Sequence, residues 1–189
     1  MKRIVLSVHI TVDGFVAGQN GEMDWIKFDD EMFDLVKKFT DDADTALYGR
    51  VTYQMMDSYW PTAASQPNAT KHDVEHSNWY NKVDKIVLSK TLKDKSLERT
   101  TFISGNILEQ ITALKQQPGK NILIFGSPRA AHLLIQHNLI DDYWLFVNPI
   151  ILGQGIPLFI NRTEKISLKP LATKVFACGV TALNYAVDK

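Results

Sequence analysis

Three short segments of the sequence combine a basic side chain with a hydroxyl group directly after a stretch typical of a buried strand. They are residues 49–52 (GRVT), 89–91 (SKT) and 126–129 (GSPR). The first and third also open stretches with helical spacing, and a helix N-terminus carries a partial positive charge that favours anions. A charge-assisted hydrogen bond from the basic residue of each segment would contribute about 1.5–3 kcal/mol. This pattern indicates a ligand with several phosphates.

Each segment also has an ordinary structural explanation. A glycine at a strand–helix junction serves backbone geometry. Ser127 followed by Pro128 fits a helix N-cap and first helical residue, and the proline removes one backbone N–H that a phosphate would use. The phosphate interpretation therefore depends on the three segments together. Neither G-x-G-x-x-G nor G-x-x-x-x-G-K-[ST] occurs, so a different nucleotide-binding architecture is indicated.

A different chemistry is suggested by HDVEH at residues 72–76, which satisfies the zinc-peptidase pattern H-x-x-E-H. His72 and His76, four residues apart on a helix, would share one face and bind a metal. A peptidase would need this pair on a packed helix with a further ligand downstream, whereas the segment is short, polar and preceded by a loop. We therefore interpret the match as coincidental, on a solvated helix, and predict no metal site.

The elements that must position these segments alternate along the chain. Strands are predicted at residues 3–10, 44–48, 83–92, 99–104, 122–125 and 142–151. Helices are predicted at residues 29–40, 50–59, 106–119 and 128–134, and a loop with Pro61 and Pro67 follows the second helix. Two apolar stretches flanking Cys178–Gly179 predict a C-terminal antiparallel hairpin. The alternation favours a largely parallel sheet covered on both faces, in a single domain over residues 1–189.

Composition excludes several classes of protein. Twenty-one basic and twenty-one acidic residues give no net charge, which disfavours a nucleic-acid or membrane surface as partner. One cysteine excludes an internal disulfide and a cysteine-rich zinc site. The short apolar run at the N-terminus is typical of a first strand rather than a signal peptide, so we expect a cytoplasmic protein.

Five motifs in chain order resemble the dihydrofolate-reductase-like family. They are TVDGFVAG (11–18), ALYGRVTY (46–53), KIVLSKTL (85–92), ILIFGSPRAAHLL (122–134) and LIDDYWLFVNPIILGQGIPLF (139–159). The closer resemblance is to the reductase domain of bacterial riboflavin biosynthesis, with its S-x-D-G-x-I-A loop, G-R-x-T-Y turn and P-x-x-L-G-x-G-x-x-L-F segment. It implies a three-layer α/β/α fold whose mostly parallel central sheet ends in a C-terminal antiparallel hairpin.

The resemblance implies an NADPH-dependent reductase in which the protein positions the hydride donor against a heterocycle. The substrate it favours is the aminopyrimidine 5-amino-6-(5-phosphoribosylamino)uracil, with dihydrofolate as the alternative. The residues that the family pattern assigns to the cofactor are Gly49, Arg50 and Thr52 for phosphates, Ser89 and Lys90 for the 2′-phosphate, Gly126, Ser127, Arg129 and Ala130 for the pyrophosphate, and Val16 and Ala17 beside the nicotinamide.

The proton donor is not identified by the resemblance, because the sequence around the first helix differs from that of folate reductases. The weak candidates are Asp24, Asp29 and Asp30. The same acids suit a helix N-terminus without any catalytic role. The substrate pocket is predicted to include His9, Trp25 and Phe28. For His9 the sequence favours the alternative of a hydrogen-bonded core histidine over a residue that narrows the pocket.

Two further expectations concern assembly and the alternative of a protein without catalysis. A protein that binds a nucleotide and catalyses nothing would show the same strand-end residues, so only turnover separates it from a reductase. Homodimers are usual among relatives in this family, and strand 142–151 with the C-terminal hairpin offers an apolar surface. We therefore expect a homodimer.

Overall fold

The computed structural model describes residues 1–92, 97–160 and 164–188 of the 189-residue chain. Within these ranges the helices are α1 Asp30–Asp41, α2 Arg50–Ala63, α3 Lys71–Lys82, α4 Ile107–Gln116 and α5 Pro128–Gln136. The strands are β1 Ile4–Thr11, β2 Phe15–Ala17, β3 Ala43–Gly49, β4 Asp84–Leu88, β5 Thr100–Ile103, β6 Asn121–Phe125, β7 Asp142–Asn148, β8 Ile156–Pro157, β9 Leu168–Val175 and β10 Thr181–Val187. The described residues contain no helix long and apolar enough to cross a membrane.

The chain divides into two compact units. The first comprises Met1–Lys2 and Glu31–Leu123, and the second comprises Arg3–Asp30 and Ile124–Lys189. The boundary falls within β6, whose first three residues belong to the first unit and whose last two belong to the second. The expectation of a single domain over the whole chain stays a prediction.

The first unit contains a parallel arrangement of strands in the order β5-β4-β3-β6. Its strands are rich in apolar residues, several of them β-branched, and β3 buries four consecutive residues from Thr45 to Tyr48. Strands that are buried on both faces read as continuous apolar runs, which is why the sequence marks them clearly. The register sets Gly49 opposite Leu88, so β3 and β4 end side by side.

The second unit continues from the end of β6 through β1 and β7 to the hairpin of β10 and β9. Strand β7 runs parallel to β1 and antiparallel to β10, and β10 runs antiparallel to β9. The turn of the hairpin contains Gly179 with a φ of +89°, a conformation that glycine adopts without steric cost. The predicted C-terminal hairpin is thereby confirmed.

Strand β9 forms the outer edge of this arrangement and is almost entirely exposed. Its exposed apolar side chains include Leu168, Leu171 and Val175. Pro170 lies opposite Tyr185, next to a shift in the register between β9 and β10. Proline cannot donate to a neighbouring strand, so its presence is typical of an edge.

One local prediction was wrong, and one pair of short strands was missed. The loop predicted after residue 59 begins later, because α2 continues through Pro61 to Ala63. Pro61 lies in the last turn, where Asn81 Nδ2 donates to its carbonyl oxygen at 3.2 Å and satisfies one of the carbonyl groups that a helix end leaves without a partner. The short strands β2 and β8, which pair with each other, were missed because three and two residues are too few to show periodicity.

Candidate functional site

The residues predicted from sequence to bind the cofactor fall in both compact units. The first unit holds Gly49, Arg50, Thr52, Ser89 and Lys90, and the second holds Val16, Ala17, Gly126, Ser127, Arg129 and Ala130. Within each unit the geometry follows from the local sequence and is described separately.

In the first unit, two strand ends bring basic side chains to one edge. Gly49 ends β3 and is the N-cap of α2, and because it has no side chain it supplies no acceptor to the first N–H groups of that helix. Arg50 opens the helix and is exposed, with its guanidinium donating to Gln54 at 3.1 Å. Because Gly49 pairs with Leu88, the exposed Lys90 follows at the same edge. These positions suit an anion at a helix N-terminus.

Ser89 shapes the turn after β4. It is 7% exposed, and its Oγ accepts from the backbone N–H of Leu92 at 2.8 Å and of Thr91 at 3.2 Å. The backbone N–H of Ser89 donates to Ile103 at 3.0 Å. The hydroxyl therefore serves first to hold the turn that presents Lys90.

In the second unit, β6 meets α5 through two consecutive left-handed residues. Gly126 has a φ of +57° and Ser127 a φ of +53°, and Ser127 is 2% exposed. The predicted N-cap position is correct, but the serine side chain makes no capping hydrogen bond. A capping residue normally has extended backbone, and in the left-handed region Oγ is not directed at the N–H groups of the first turn. A left-handed serine costs about 1–2 kcal/mol. Such strain is typical of functional sites.

The helix that follows presents one charged and one small side chain. Pro128 is its first residue, Arg129 is exposed and Ala130 is buried. The N–H of Ala131 donates to Ser127 O at 2.9 Å, which closes the first helical turn. The amides of Arg129 and Ala130 are thus the donors that this turn can offer to an anion.

Val16 and Ala17 lie in β2 and are each 5% exposed. Strand β8 pairs with Phe15 and Ala17 of β2, and a Cβ on Gly155 would lie 2.3 Å from the carbonyl oxygen of Ala17. Only a residue without a side chain permits this approach. Gly155, the second glycine of the G-x-G segment at residues 153–155, therefore allows the loop that carries Ala17 to pack closely.

Asp13, in the loop after β1, holds a neighbouring loop in place. Its carboxylate accepts from the hydroxyl of Thr11 at 2.6 Å and from the backbone N–H groups of Gly153 at 2.7 Å and Leu152 at 3.3 Å. The Thr11 hydrogen bond, with the backbone bonds, lowers the pKa of Asp13 below its ordinary value. Sequence reasoning gave Asp13 no role, although an acidic residue before a glycine turn is a recognised acceptor of backbone N–H groups.

The predicted pocket residues His9 and Phe28 are in contact. Their ring centroids are 5.1 Å apart, edge to face, and the His9 ring stacks on Phe146 at 5.0 Å. Burial lowers the pKa of His9 to about 4, so the ring is neutral at pH 7. Asn148, which sequence reasoning missed, lies with its Nδ2 at 3.1 Å from His9 Nδ1. For Trp25 the structure shows a donation from Nε1 to Glu22 O at 3.2 Å.

The candidate proton donors differ in their surroundings. Asp29 Oδ2 accepts from the backbone N–H of Cys178 at 3.1 Å, so this acid ties the start of α1 to the C-terminal hairpin. Asp24 and Asp30 are exposed, and Asp30 is the first residue of α1. No contact of the three acids identifies one as a proton donor, and the assignment stays a prediction.

The H-x-x-E-H segment lies on α3, which is not the solvated helix that was predicted. His76 is 5% exposed, its ring centroid lies 4.0 Å from that of Trp60, and the ring of His72 stacks on Phe33 at 4.0 Å. The helix packs against α2 and buries His76, Ser77 and Tyr80. Across residues 1–92, 97–160 and 164–188, no group of three or more His, Cys, Asp or Glu side chains has the arrangement of a metal site.

Comparisons with known proteins relate this chain to a family of reductase domains. The model of the RibD C-terminal domain family matches residues 2–182. The uncharacterized protein YyaP of Bacillus subtilis (strain 168) is 34% identical over 186 residues, which cover 97% of this chain and 94% of YyaP.

Two solved structures share the fold. A pyrimidine reductase-like protein from Corynebacterium diphtheriae NCTC has a TM-score of 0.68 at 15% identity and covers 100% of this chain and 92% of its own. Dihydrofolate reductase from Enterococcus faecalis, complexed with NADP(H), has a TM-score of 0.64 at 16% identity, with coverage of 99% and 97%. The predicted fold class, a dihydrofolate-reductase-like α/β fold with a mostly parallel sheet, is confirmed.

Proposed function

Because the chain belongs to the RibD C-terminal domain family, we propose that it is an NADPH-dependent reductase of a small nitrogen heterocycle. The favoured substrate is an aminopyrimidine of the 5-amino-6-(5-phosphoribosylamino)uracil type. NADPH supplies the hydride when it is bound, and the protein holds and orients the reactants. A cytoplasmic location stays a prediction.

The observation that carries the proposal is the edge of the first unit where β3 and β4 end. The uncapped start of α2 offers backbone N–H groups, and exposed Arg50 and Lys90 follow two paired strands. Backbone donors and guanidinium or ammonium groups are the partners that phosphate prefers. The residues present therefore fit the phosphates of a dinucleotide. Arg50 and Thr52 would contact the cofactor's phosphates, and Lys90 would contact the 2′-phosphate.

The second unit supplies the other residues of the proposal. The amides of Arg129 and Ala130 at the start of α5 would approach the pyrophosphate, with Gly126 and Ser127 forming the turn. Val16 and Ala17, buried in β2, would lie beside the nicotinamide. Their small or branched apolar side chains suit contact with a flat ring.

Measurement of NADPH and NADH affinity tests the cofactor assignment. Arg50→Ala should weaken NADPH binding by about tenfold to a hundredfold, since a charge-assisted bond is worth about 1.5–3 kcal/mol. Lys90→Ala should weaken NADPH binding more than NADH binding, because only NADPH carries a 2′-phosphate. Lys82→Ala is the matched control, as this exposed lysine precedes β4 instead of following it. Unchanged affinity of both test variants would refute the assignment of this edge.

Turnover separates the enzyme from its alternatives. Oxidation of NADPH in the presence of the aminopyrimidine supports the proposal, whereas oxidation with dihydrofolate alone supports the second candidate. That candidate is kept because a dihydrofolate reductase is among the proteins that share the fold. Tight NADPH binding with no oxidation across pterins and aminopyrimidines would instead indicate a nucleotide-binding protein.

A homodimer forms part of the proposal. The exposed apolar side chains of β9, Leu168, Leu171 and Val175, support it, since apolar groups clustered on one surface are commonly covered by a partner. Light scattering measures the assembly directly. A monomeric mass at micromolar concentration would exclude the dimer.

A further inference from the structure

Asn148 is held in one orientation by backbone groups. It is fully buried at the end of β7. Its Oδ1 accepts from the backbone N–H of Lys27 at 2.9 Å, and its Nδ2 donates to the carbonyl oxygen of Phe146 at 3.1 Å. A backbone N–H can only donate and a carbonyl can only accept, so reversing the amide would break both hydrogen bonds. The NH2 group of Asn148 must therefore be the group that faces His9.

The orientation of Asn148 determines where the His9 proton lies. Asn148 Nδ2 is 3.1 Å from His9 Nδ1, and because an amide NH2 only donates, Nδ1 must accept. A neutral imidazole that accepts at Nδ1 carries its hydrogen at Nε2. Burial keeps the ring neutral at pH 7, since it lowers the pKa of His9 to about 4. The backbone at Lys27 and Phe146 thus sets His9 as a donor at Nε2.

The Nε2–H group is available to a ligand. Among residues 1–92, 97–160 and 164–188, none accepts a hydrogen bond from it. His9 is partly exposed, and Phe28, whose ring edge contacts it, is 52% exposed. The ring is held by stacking on Phe146, so the donor is fixed in direction as well as in polarity. A fixed polar group within an aromatic wall is the usual means by which a small-molecule pocket orients its ligand.

We propose that His9 is a specificity-determining residue which donates from Nε2 to a ring carbonyl oxygen of the heterocycle and disfavours an amino group at that position. The proposal rests on the proposed function for the kind of ligand, a flat nitrogen heterocycle. Asn148 acts as a positioning residue, because it fixes the tautomer without contacting the ligand. A site built to donate one hydrogen bond discriminates strongly against a ligand that presents a second donor, since both groups then lose their partners.

The tautomer is measured first, on the free protein. Long-range ¹H–¹⁵N correlation spectra of ¹⁵N-labelled protein distinguish Nε2–H from Nδ1–H, and they do not depend on any activity. The expected result for His9 is a protonated Nε2 and an unprotonated Nδ1. In Asn148→Asp a carboxylate replaces the donor, so the proton of His9 should move to Nδ1 or the ring should become doubly protonated. A wild-type His9 with its proton on Nδ1 would overturn the inference.

Discrimination is then measured with a matched pair of ligands. The probes are 5,6-diaminouracil and 2,4,5,6-tetraaminopyrimidine, which have similar shapes but carry carbonyl oxygens or amino groups at ring positions 2 and 4. Calorimetry with and without NADPH gives their affinities. The wild-type protein should prefer the uracil by about tenfold or more, since a hydrogen bond is made to one and lost to the other.

Two substitutions at His9 separate donation from shape. His9→Phe keeps a ring between Phe28 and Phe146 without a donor, and it should bring the preference close to unity. His9→Gln offers either an oxygen or an amide NH2, so it should bind both probes with a reduced preference. His137→Phe, at an exposed histidine after α5 of the same unit, should keep the wild-type preference.

The outcomes distinguish this inference from the proposed function. A wild-type protein that binds both probes equally, or neither, overturns the inference, as does an unchanged preference in folded His9→Phe and His9→Gln. Each of those results leaves NADPH oxidation to be decided by its own assay. Conversely, the protein could show the expected tautomer and preference but never oxidise NADPH. That result would support the role of His9 in ligand specificity and would refute the proposed reductase activity.

Discussion

Mild acid should destabilise the protein because His76 is packed where burial disfavours its protonated form. The side chain is 5% exposed, and its ring centroid lies 4.0 Å from that of Trp60 and 5.1 Å from that of Trp79. Burial, followed by the nearby His72, lowers the pKa of His76 to about 3. The unfolded chain places no such restriction on the ring and binds a proton below a pKa of about 6.5.

The sign and size of the effect follow from proton linkage. Because the unfolded state binds the proton first, the free energy of unfolding is highest above pH 6.5 and falls as the pH decreases toward 3. At pH 4.5 the loss from His76 is about 2.7 kcal/mol, two pH units at about 1.4 kcal/mol each. His9, with a pKa of about 4, adds a loss of about 2.5 kcal/mol over the same window.

Between pH 6.5 and 4.5 the change in stability comes mainly from the histidines. Burial raises the pKa of Asp44, but its hydrogen bonds and the neighbouring charge of Lys2 outweigh burial, so the pKa of Asp44 is lowered. The hydrogen bonds to Thr70 lower the pKa of Asp73. A carboxylate with a lowered pKa stabilises the fold above its unfolded pKa of about 3.8 and loses that contribution only below it.

Urea unfolding followed by tryptophan fluorescence at a series of pH values measures the effect. His76→Phe should remove the part of the loss that comes from His76, about 2.7 kcal/mol at pH 4.5, since a ring remains and the titration does not. The control is Ile111→Val, in another fully buried side chain of the same unit, which should cost about 0.5–1.5 kcal/mol at every pH and keep the wild-type slope. If His76→Phe and the wild type show the same slope, His76 does not titrate as argued.

Two further substitutions test individual contacts. Tyr48→Phe should raise the free energy of unfolding by about 1 kcal/mol in urea titrations. The buried hydroxyl of Tyr48 has no hydrogen-bond partner among the described residues, so its removal leaves no group unpaired. A lower free energy of unfolding would show that the hydroxyl has a partner. Gly155→Ala should lower it by about 1–3 kcal/mol, because a Cβ would lie 2.3 Å from Ala17 O, and a melting temperature equal to the wild type would show that the loop yields freely.

Much of the fold was predictable because its strands are buried and its helices amphipathic. Apolar runs such as residues 122–125 and helical spacing in residues 128–134 identified the alternation, and Gly179 marked the hairpin. The short β2–β8 pair and the helical Pro61 were not predictable, since each depends on contacts distant in sequence. Pro61 is accommodated near Asn81, which follows it by twenty residues.

The candidate site divides in the same way. The placement of Arg50 and Lys90 directly after parallel strands was predictable, because such strands end at a common edge, whereas their role in binding a cofactor stays a prediction. The pairing of His9 with Asn148 spans 139 residues and involves one buried amide, which no local pattern indicates. The lack of a side-chain cap at Ser127 was equally hidden, because only the left-handed backbone shows it.

The left-handed Ser127 restricts which amino acids the turn before α5 can accept, apart from any ligand. Its φ of +53° favours glycine, asparagine and aspartate and penalises β-branched residues, while its 2% exposure leaves no room for a long side chain. A saturation library at position 127, sorted for folded protein alone, should therefore retain small residues tolerant of this conformation and discard valine, isoleucine and threonine. The amino acids tolerated at position 127 would then be determined by the backbone conformation of this turn, whether or not the residue contacts a ligand.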